Sequence, residues 1–251
     1  MGEPADEPGG TPGTLRPAYY AAGSGGWRDW WTLLHPPYTA WHLSYVVLGA
    51  CLAPGVRIDR LVATLLAFLL AVGLAAHALD ELDGRPLGTR IPSRWLVVTA
   101  AVGILGAVAI GAVGVSRVGW TLVPFVVVGP VLVVAYNTDA APVHKDLVFA
   151  AAWGAFPVLT AYVAQAKTLG WAPVLAALAA FALSAAQRAL STPARLLRRR
   201  TRDVRGTLET IAGDERRLDR PTLLAPLERA LNAMSASVVL LATALAVARL
   251  T

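Results

Sequence analysis

Residues 61–94 read LVATLLAFLLAVGLAAHALDELDGRPLGTRIPSR, and this stretch decides how the rest of the chain is interpreted. Residues 61–79 form an apolar run with the length of a membrane-spanning helix. Ionisable side chains are then crowded together, with His77, Asp80, Glu81 and Asp83 in quick succession. In a helix, His77, Asp80 and Glu81 have i, i+3 and i+4 spacing and share one face. The end of this helix is therefore a candidate site for binding a metal or a substrate.

The composition is that of a membrane protein. Of 251 residues, 56% are hydrophobic and only 15% are charged, whereas soluble domains have about 25% charged residues. The apolar residues occur in long blocks, which predict an all-α, polytopic transmembrane helix bundle of about seven spans. The predicted spans are residues 39–56, 61–82, 95–115, 120–136, 147–165, 171–190 and 231–249. Residues 1–26 predict a disordered N-terminal tail, so the transmembrane domain is expected at 27–251.

The distribution of basic residues predicts the orientation. Most of the 22 Lys and Arg residues fall in loops on one side of the predicted bundle. The positive-inside rule makes this side cytoplasmic, together with the N-terminus of an integral membrane protein that we expect in the plasma membrane. Membrane lipids are the expected partners. The net charge of +6 is explained by this topology, so we expect no nucleic acid among the partners.

The basic loop at about 191–230 has two interpretations. Its arginine run, from Arg195 to Arg205, either determines topology and contacts anionic lipid headgroups, or forms an anion site for a diphosphate or phospholipid head. The later part, residues 208–227, predicts a short amphipathic surface helix interrupted near Pro221. In span 3, Gly103, Ala107 and Gly111 form a stripe of small residues suited to close helix packing.

The acids after span 2 predict a metal site with two possible occupants. Oxygen ligands from Asp80, Asp83 and Glu81 suit Mg²⁺, whereas a ligand from His77 favours zinc or iron. The structural alternative is a packed His77, with the acids paired to arginines of the same loop. Those arginines are Arg85, Arg90 and Arg94.

A second candidate segment is AYNTDAAPVHKDLVFAAAWGAFP at 135–157. Tyr136 ends span 4, and His144, Lys145 and Asp146 precede span 5 on the same predicted side as Asp80. Lys145 either contacts a phosphate or anchors the helix at the membrane surface. Inside span 1, His42 is expected to hydrogen-bond a neighbouring helix rather than to join the site.

Taken in order, these segments resemble the UbiA superfamily of intramembrane prenyltransferases. The similar parts are HALDELDGRPLGTRIP at 77–92 and AYNTDAAPVHKDLVFAAAWGAFPVLTAYVAQ at 135–165. The family's first motif, N-x-x-x-D-x-x-x-D, is altered, since Ala76 replaces the Asn and Asp83 follows Asp80 by three residues. Its second D-x-x-x-D motif, expected within 184–205, is absent. Gln187 and Arg188 stand at positions of acids, and Asp203 is alone.

The resemblance implies a UbiA-like bundle that transfers a prenyl group from a prenyl diphosphate to a lipid or aromatic acceptor, assisted by Mg²⁺. It implies catalytic roles for Asp80, Asp83 and Lys145. The implied metal ligands are Asp80, Asp83, Glu81 and His77. The implied substrate-binding residues are Arg85, Arg90, Arg94, Tyr136 and Asp203.

Two other functions remain open from the sequence. One is a different metal-dependent membrane enzyme, a hydrolase or oxidase centred on His77, Asp80 and Glu81, with a distant His144. The other is a non-catalytic UbiA-like protein that binds a protein partner or lipid through the basic loop.

Overall fold

The computed structural model describes residues 16–137 and 145–251. Its helices are α1 (Trp27–Leu34), α2 (Pro36–Cys51), α3 (Ile58–Phe68), α4 (His77–Leu82), α5 (Ser93–Val118), α6 (Val123–Asn137), α7 (Lys145–Ala150), α8 (Phe156–Ala166), α9 (Trp171–Arg195) and α10 (Arg220–Leu250). A 3₁₀ turn, Trp120–Leu122, precedes α6. Two short antiparallel strands, β1 (Gly206–Glu209) and β2 (Glu215–Leu218), lie between α9 and α10.

In the described part of the chain, six segments are long and apolar enough to cross a membrane, namely Ile58–Leu82, Ser93–Val118, Trp120–Asn137, Asp146–Ala166, Trp171–Arg200 and Arg220–Leu250. They correspond to six of the seven predicted spans and confirm an all-α membrane bundle. The predicted first span, 39–56, is helix α2 instead. Its 16 residues extend about 24 Å, less than the roughly 30 Å of a hydrocarbon core.

Helix α2 lies inside the bundle and packs against α8 and α10. Trp41 and Tyr45 are fully buried in this contact. The close approach to α8 depends on Gly49, because a Cβ atom there would lie 2.2 Å from the carbonyl oxygen of Val158. The small-residue stripe of α5 works in the same way, since a Cβ on Gly103 would meet the Leu70 carbonyl at 2.6 Å. Small residues thus permit the close helix contacts on which membrane bundles depend.

Among residues 16–137 and 145–251, three π-helical segments interrupt the long helices, at Leu69–Ala76, Ala151–Ala155 and Leu196–Arg200. The first joins α3 to α4, the second joins α7 to α8, and the third extends α9. Wide helical turns of this type are rare and are often found at functional sites. All three contribute residues to the pocket described below.

The segment between α9 and α10 differs from its prediction. An amphipathic helix was expected at 208–227, whereas β1 and β2 form a hairpin there. Gly213 adopts a left-handed φ of 85° in the turn, a conformation that glycine tolerates best. Pro221 lies in the first turn of α10 rather than interrupting a helix, and Asp219 caps α10 by accepting a hydrogen bond from Thr222 N at 2.9 Å. Proline in the first helical turn needs no N–H donor.

Residues 16–26, which fall within the predicted N-terminal tail, contact the rest of the chain, and Ala18 and Ala21 are buried. The carbonyl oxygens of Arg16 and Pro17 accept hydrogen bonds from Arg198 and Arg199. Residues 1–15 lie outside the described part of the chain.

Candidate functional site

A polar pocket of about 140 Å³ opens at the end of the bundle where α4 and α6 end and α9 continues into its π-helical extension. Residues far apart in sequence line it because these helix ends converge with α2 and with residues 17–20. The polar groups in its wall that matter below are Asp80, His77, Tyr136, Gln187, Arg188, Ser191, Arg195 and Arg199.

The first acidic cluster is divided between two environments. Asp80 lines the pocket and is exposed there. Glu81 is fully buried and accepts hydrogen bonds from Leu87 N at 2.9 Å, Thr89 N at 2.8 Å and Thr89 Oγ1 at 2.8 Å. Its carboxylate therefore holds the loop after α4 in place. Asp83 is exposed at the end of α4 and is not part of the pocket wall.

His77 also lines the pocket, and its imidazole lies over that of His35 with ring centroids 4.2 Å apart. Its Nδ1 is 3.0 Å from the Gly73 carbonyl oxygen. Because a carbonyl only accepts hydrogen bonds, Nδ1 carries the proton and the lone pair of the neutral ring is on Nε2. His35 has the same arrangement with the Leu33 carbonyl at 2.7 Å. Burial lowers the pKa of His35 well below 6.5, with a further contribution from His77.

The predicted substrate arginines lie elsewhere. Arg85 donates hydrogen bonds to the Ile91 carbonyl at 2.6 Å and to Ser93 Oγ at 2.7 Å, so it supports the same loop as Glu81. Arg90 and Arg94 are exposed, and none of the three contributes to the pocket wall. Asp203 is exposed and pairs with Arg205 at 2.6 Å.

The second candidate segment contributes aromatic groups. Tyr136 lines the pocket, and its ring centroid is 4.6 Å from that of Trp153. The ring of Phe149 stacks on that of Trp153, with centroids 5.7 Å apart, and its centroid is 6.0 Å from that of Tyr136. As predicted, His42 hydrogen-bonds a neighbouring helix, through Nδ1 to the Trp153 carbonyl at 2.9 Å, but contrary to the prediction it also lines the pocket. His144 and the side chain of Lys145 lie outside what the structure describes.

Helix α9 supplies pocket residues that the sequence interpretation missed. Gln187, Ser191 and Arg195 recur at intervals of four and line the pocket on one face. This is the spacing of the second acidic motif that the resemblance implied, with an amide, a hydroxyl and a guanidinium in place of acids. The signal was present in the sequence, but the arginine run was equally well explained by topology.

Guanidinium groups dominate the electrostatics of the pocket. Arg188 pairs with Asp146 at 2.6 Å, and Arg198 pairs with Glu228. Arg195 is half-buried and, within the described residues, hydrogen-bonds only to Thr192 Oγ1, at 3.4 Å. Arg199 donates Nε–H to the Pro17 carbonyl at 3.0 Å. Arg195 and Arg199 form no ion pair within the described residues, so their positive charge makes the pocket suitable for an anion.

A separate apolar cavity of about 530 Å³ lies deeper between α3, α5, α6 and α8. Its wall includes Phe68, Phe125 and Phe156, and it extends to Asp59, Arg60 and Arg117 at the opposite end of the bundle. Trp153 lines both this cavity and the polar pocket. The two spaces are therefore neighbours across one side chain.

The metal site that the resemblance implies is formed by two acidic clusters. Among residues 16–137 and 145–251, no group of three or more His, Cys, Asp or Glu side chains is placed to hold a metal ion. Glu81 is engaged by the loop and Asp83 lies outside the pocket, which leaves Asp80 and His77. These residues do not fit a metal site made of two acidic clusters.

Comparison with known proteins supports the fold. Neither protein-family models nor curated proteins gave a match. Among solved structures, a UbiA homolog from Archaeoglobus fulgidus bound to Cd²⁺ is similar, with a TM-score of 0.51 and 17% sequence identity. The similarity covers 88% of this chain and 85% of that protein. The chain is thus an all-α membrane bundle with the UbiA fold.

Proposed function

We propose that the chain is an intramembrane transferase of the UbiA type, which moves a prenyl group from a prenyl diphosphate to a lipid or aromatic acceptor. The observation that carries this proposal is the position of Trp153 between the polar pocket and the apolar cavity. A substrate with a charged head and a long apolar tail matches the two adjoining spaces. The UbiA fold agrees with such a substrate.

The residues of the pocket suggest how the reaction proceeds. Positive charge from Arg195 and Arg199 stabilises the diphosphate as a leaving group. When the allylic C–O bond breaks, its electron pair stays on the diphosphate oxygen and a carbocation forms. The aromatic rings of Tyr136 and Trp153, whose centroids are 4.6 Å apart, stabilise that cation. The acceptor then bonds to the carbocation, and its proton passes to the carboxylate of Asp80.

The resemblance implies Mg²⁺ as the cofactor, but the pocket offers only Asp80 and His77 as ligands, and these do not fit its site. The steps above depend only on residues of this chain. Lys145 remains a proposed phosphate contact, since it starts α7 beside the pocket residues of α6 and α7.

The other two functions differ in their support. A hydrolase or oxidase centred on His77, Asp80 and Glu81 would need Glu81 at the metal, but its carboxylate is used by the loop. A non-catalytic lipid-binding protein is favoured by one observation, the amide and guanidinium groups at the positions of the second acidic motif. It would bind the same ligand without turnover.

The proposal is tested by incubating the purified protein in lipid nanodiscs with radiolabelled prenyl diphosphates and a panel of acceptors. We expect labelled product from the wild-type protein and from Asp83→Asn, and greatly reduced product from Asp80→Asn. Asp83→Asn is the matched control because it removes the same charge three residues away, outside the pocket. Binding of the diphosphate without any product would instead support the non-catalytic function.

A further inference from the structure

We infer that the polar pocket binds the diphosphate group directly, through guanidinium and amide groups of α9 and its π-helical extension, without requiring a divalent cation. The inference deepens the proposed function and rests on it for the identity of the natural ligand. It concerns only the diphosphate and the side chains that bind it in the pocket.

Helix α9 carries other side chains at the positions where the resemblance implies acids. Two acidic clusters would hold metal ions that in turn neutralise a diphosphate. Here the α9 face carries Gln187, Ser191 and Arg195 at intervals of four, opposite Asp80. Such a face cannot chelate a second metal, but it supplies positive charge and hydrogen-bond donors itself. The charge that a diphosphate needs is therefore built into the helix.

Arg195 has hydrogen-bond donors that are not used within the described residues. The guanidinium carries five N–H groups in a planar fork that matches phosphate oxygens. Within the described residues, Arg195 uses one long hydrogen bond to Thr192 and forms no ion pair. Arg199 donates its Nε–H to the Pro17 carbonyl, and its terminal nitrogens have no hydrogen-bond partner within the described residues. Arg198 differs, because its Nε and Nη2 already donate hydrogen bonds to the two carboxylate oxygens of Glu228.

Gln187 also indicates that the pocket binds a ligand. This side chain is only 3% exposed, lies in the pocket wall, and its Oε1 has no hydrogen-bond partner within the described residues. A buried amide without a partner is unfavourable, so such groups point to a missing ligand. An amide can turn by 180° and present N–H groups to an anion, or keep its oxygen towards a hydroxyl. Either orientation suits a phosphate-bearing molecule.

The experiment is isothermal titration of the full-length protein in nanodiscs with inorganic pyrophosphate, once in EDTA and once with Mg²⁺. We expect binding in EDTA, with Mg²⁺ changing the affinity little. Arg195→Gln should weaken binding roughly tenfold to a hundredfold, as expected for lost charged hydrogen bonds. Arg200→Gln is the control, because Arg200 is exposed in the same segment and is absent from the pocket wall.

The variant Arg195→Lys makes the test sharper. Lysine keeps the charge but loses the planar fork, so we expect binding between that of the wild type and Arg195→Gln. Unchanged melting temperatures would show that weaker binding is not caused by misfolding. Binding seen only with Mg²⁺, or wild-type affinity in a folded Arg195→Gln variant, would overturn the inference.

The inference and the proposed function fail separately. Pyrophosphate binding in EDTA without prenyl transfer would keep the inference and contradict the transferase. Prenyl transfer by a protein that binds pyrophosphate only with Mg²⁺ would do the reverse.

Discussion

Asp80 and Glu81 are consecutive residues of α4, yet the Asp80 carboxylate is exposed in the polar pocket and the Glu81 carboxylate is fully buried beneath the following loop. Glu81 accepts hydrogen bonds from Leu87 and Thr89, whereas the carboxylate of Asp80 has no hydrogen bond or ion pair within the described residues. One acid is thus committed to structure and the other is available for chemistry. The two residues should respond to mutation in opposite ways.

Glu81→Ala should destabilise the protein by about 2–4 kcal/mol, because the buried N–H groups of Leu87 and Thr89 lose their acceptor. Glu81→Gln should cost less, since its amide keeps one acceptor oxygen. Thermal unfolding in detergent measures both. An Asp83→Ala variant is the control at an exposed acid, and a Glu81→Ala protein as stable as that control would contradict the structural role.

Asp80→Asn should leave the melting temperature unchanged and lower the rate of prenyl transfer at least a hundredfold, as expected for loss of a positioned base. The measurement is kcat and KM with a prenyl diphosphate and its acceptor. The decrease should appear in kcat, because the asparagine still fills the space beside the anion. Wild-type turnover by this variant would remove Asp80 from the mechanism.

Gly49→Ala should destabilise the bundle by about 1–3 kcal/mol, the usual range for overpacking. A Cβ atom at this position would lie 2.2 Å from the Val158 carbonyl oxygen, so α2 and α8 must separate. Gly55→Ala is the matched control, since no heavy atom lies within 4 Å of the corresponding Cβ. Equal unfolding temperatures of the two variants would show that α2 and α8 are not in this close contact.

The stability of the protein should fall as the pH falls below about 6.5, because of His35. Burial lowers the pKa of His35 in the folded protein well below the 6.5 of the exposed side chain. The unfolded chain therefore binds the proton first, and the folded state loses up to about 1.4 kcal/mol per pH unit below 6.5. Above that pH the contribution is fully present.

The measurement is the melting temperature at pH 7.5 and pH 5.5, for the wild type and His35→Asn. His35 has a left-handed φ of 49°, which asparagine tolerates better than most residues. We expect a smaller decrease between the two pH values in the variant. An identical decrease would assign the pH dependence to other groups.

The helices could be predicted from the sequence because a bilayer leaves few alternatives to long apolar helices. The site was harder to predict. Helical spacing placed His77, Asp80 and Glu81 on one face, but the loop amides that bind Glu81 come from backbone whose path the sequence does not determine. Predicted span 6 ended at residue 190, whereas the helix continues past Pro193 to Arg195 and, as a π-helix, to Arg200.

This continuation explains why Arg195 was interpreted as part of a basic loop. Proline inside a helix usually marks a boundary, and a run of arginines beside a membrane helix is expected from topology alone. The role of Arg195 depends on the extra turns that carry it to Asp80 and Tyr136. Tyr136 itself was predicted from its position at the end of span 4, and the structure places it in the pocket.

The central claim is that one substrate occupies both spaces, with its head in the polar pocket and its tail in the apolar cavity past Trp153. The most direct measurement is photolabelling with a prenyl diphosphate that carries a diazirine at the end of its tail, followed by peptide mapping. We predict labels on cavity residues such as Phe125 and Phe156, suppressed by excess unlabelled prenyl diphosphate. Labels confined to the lipid-exposed outer residues, unaffected by that competitor, would contradict the account.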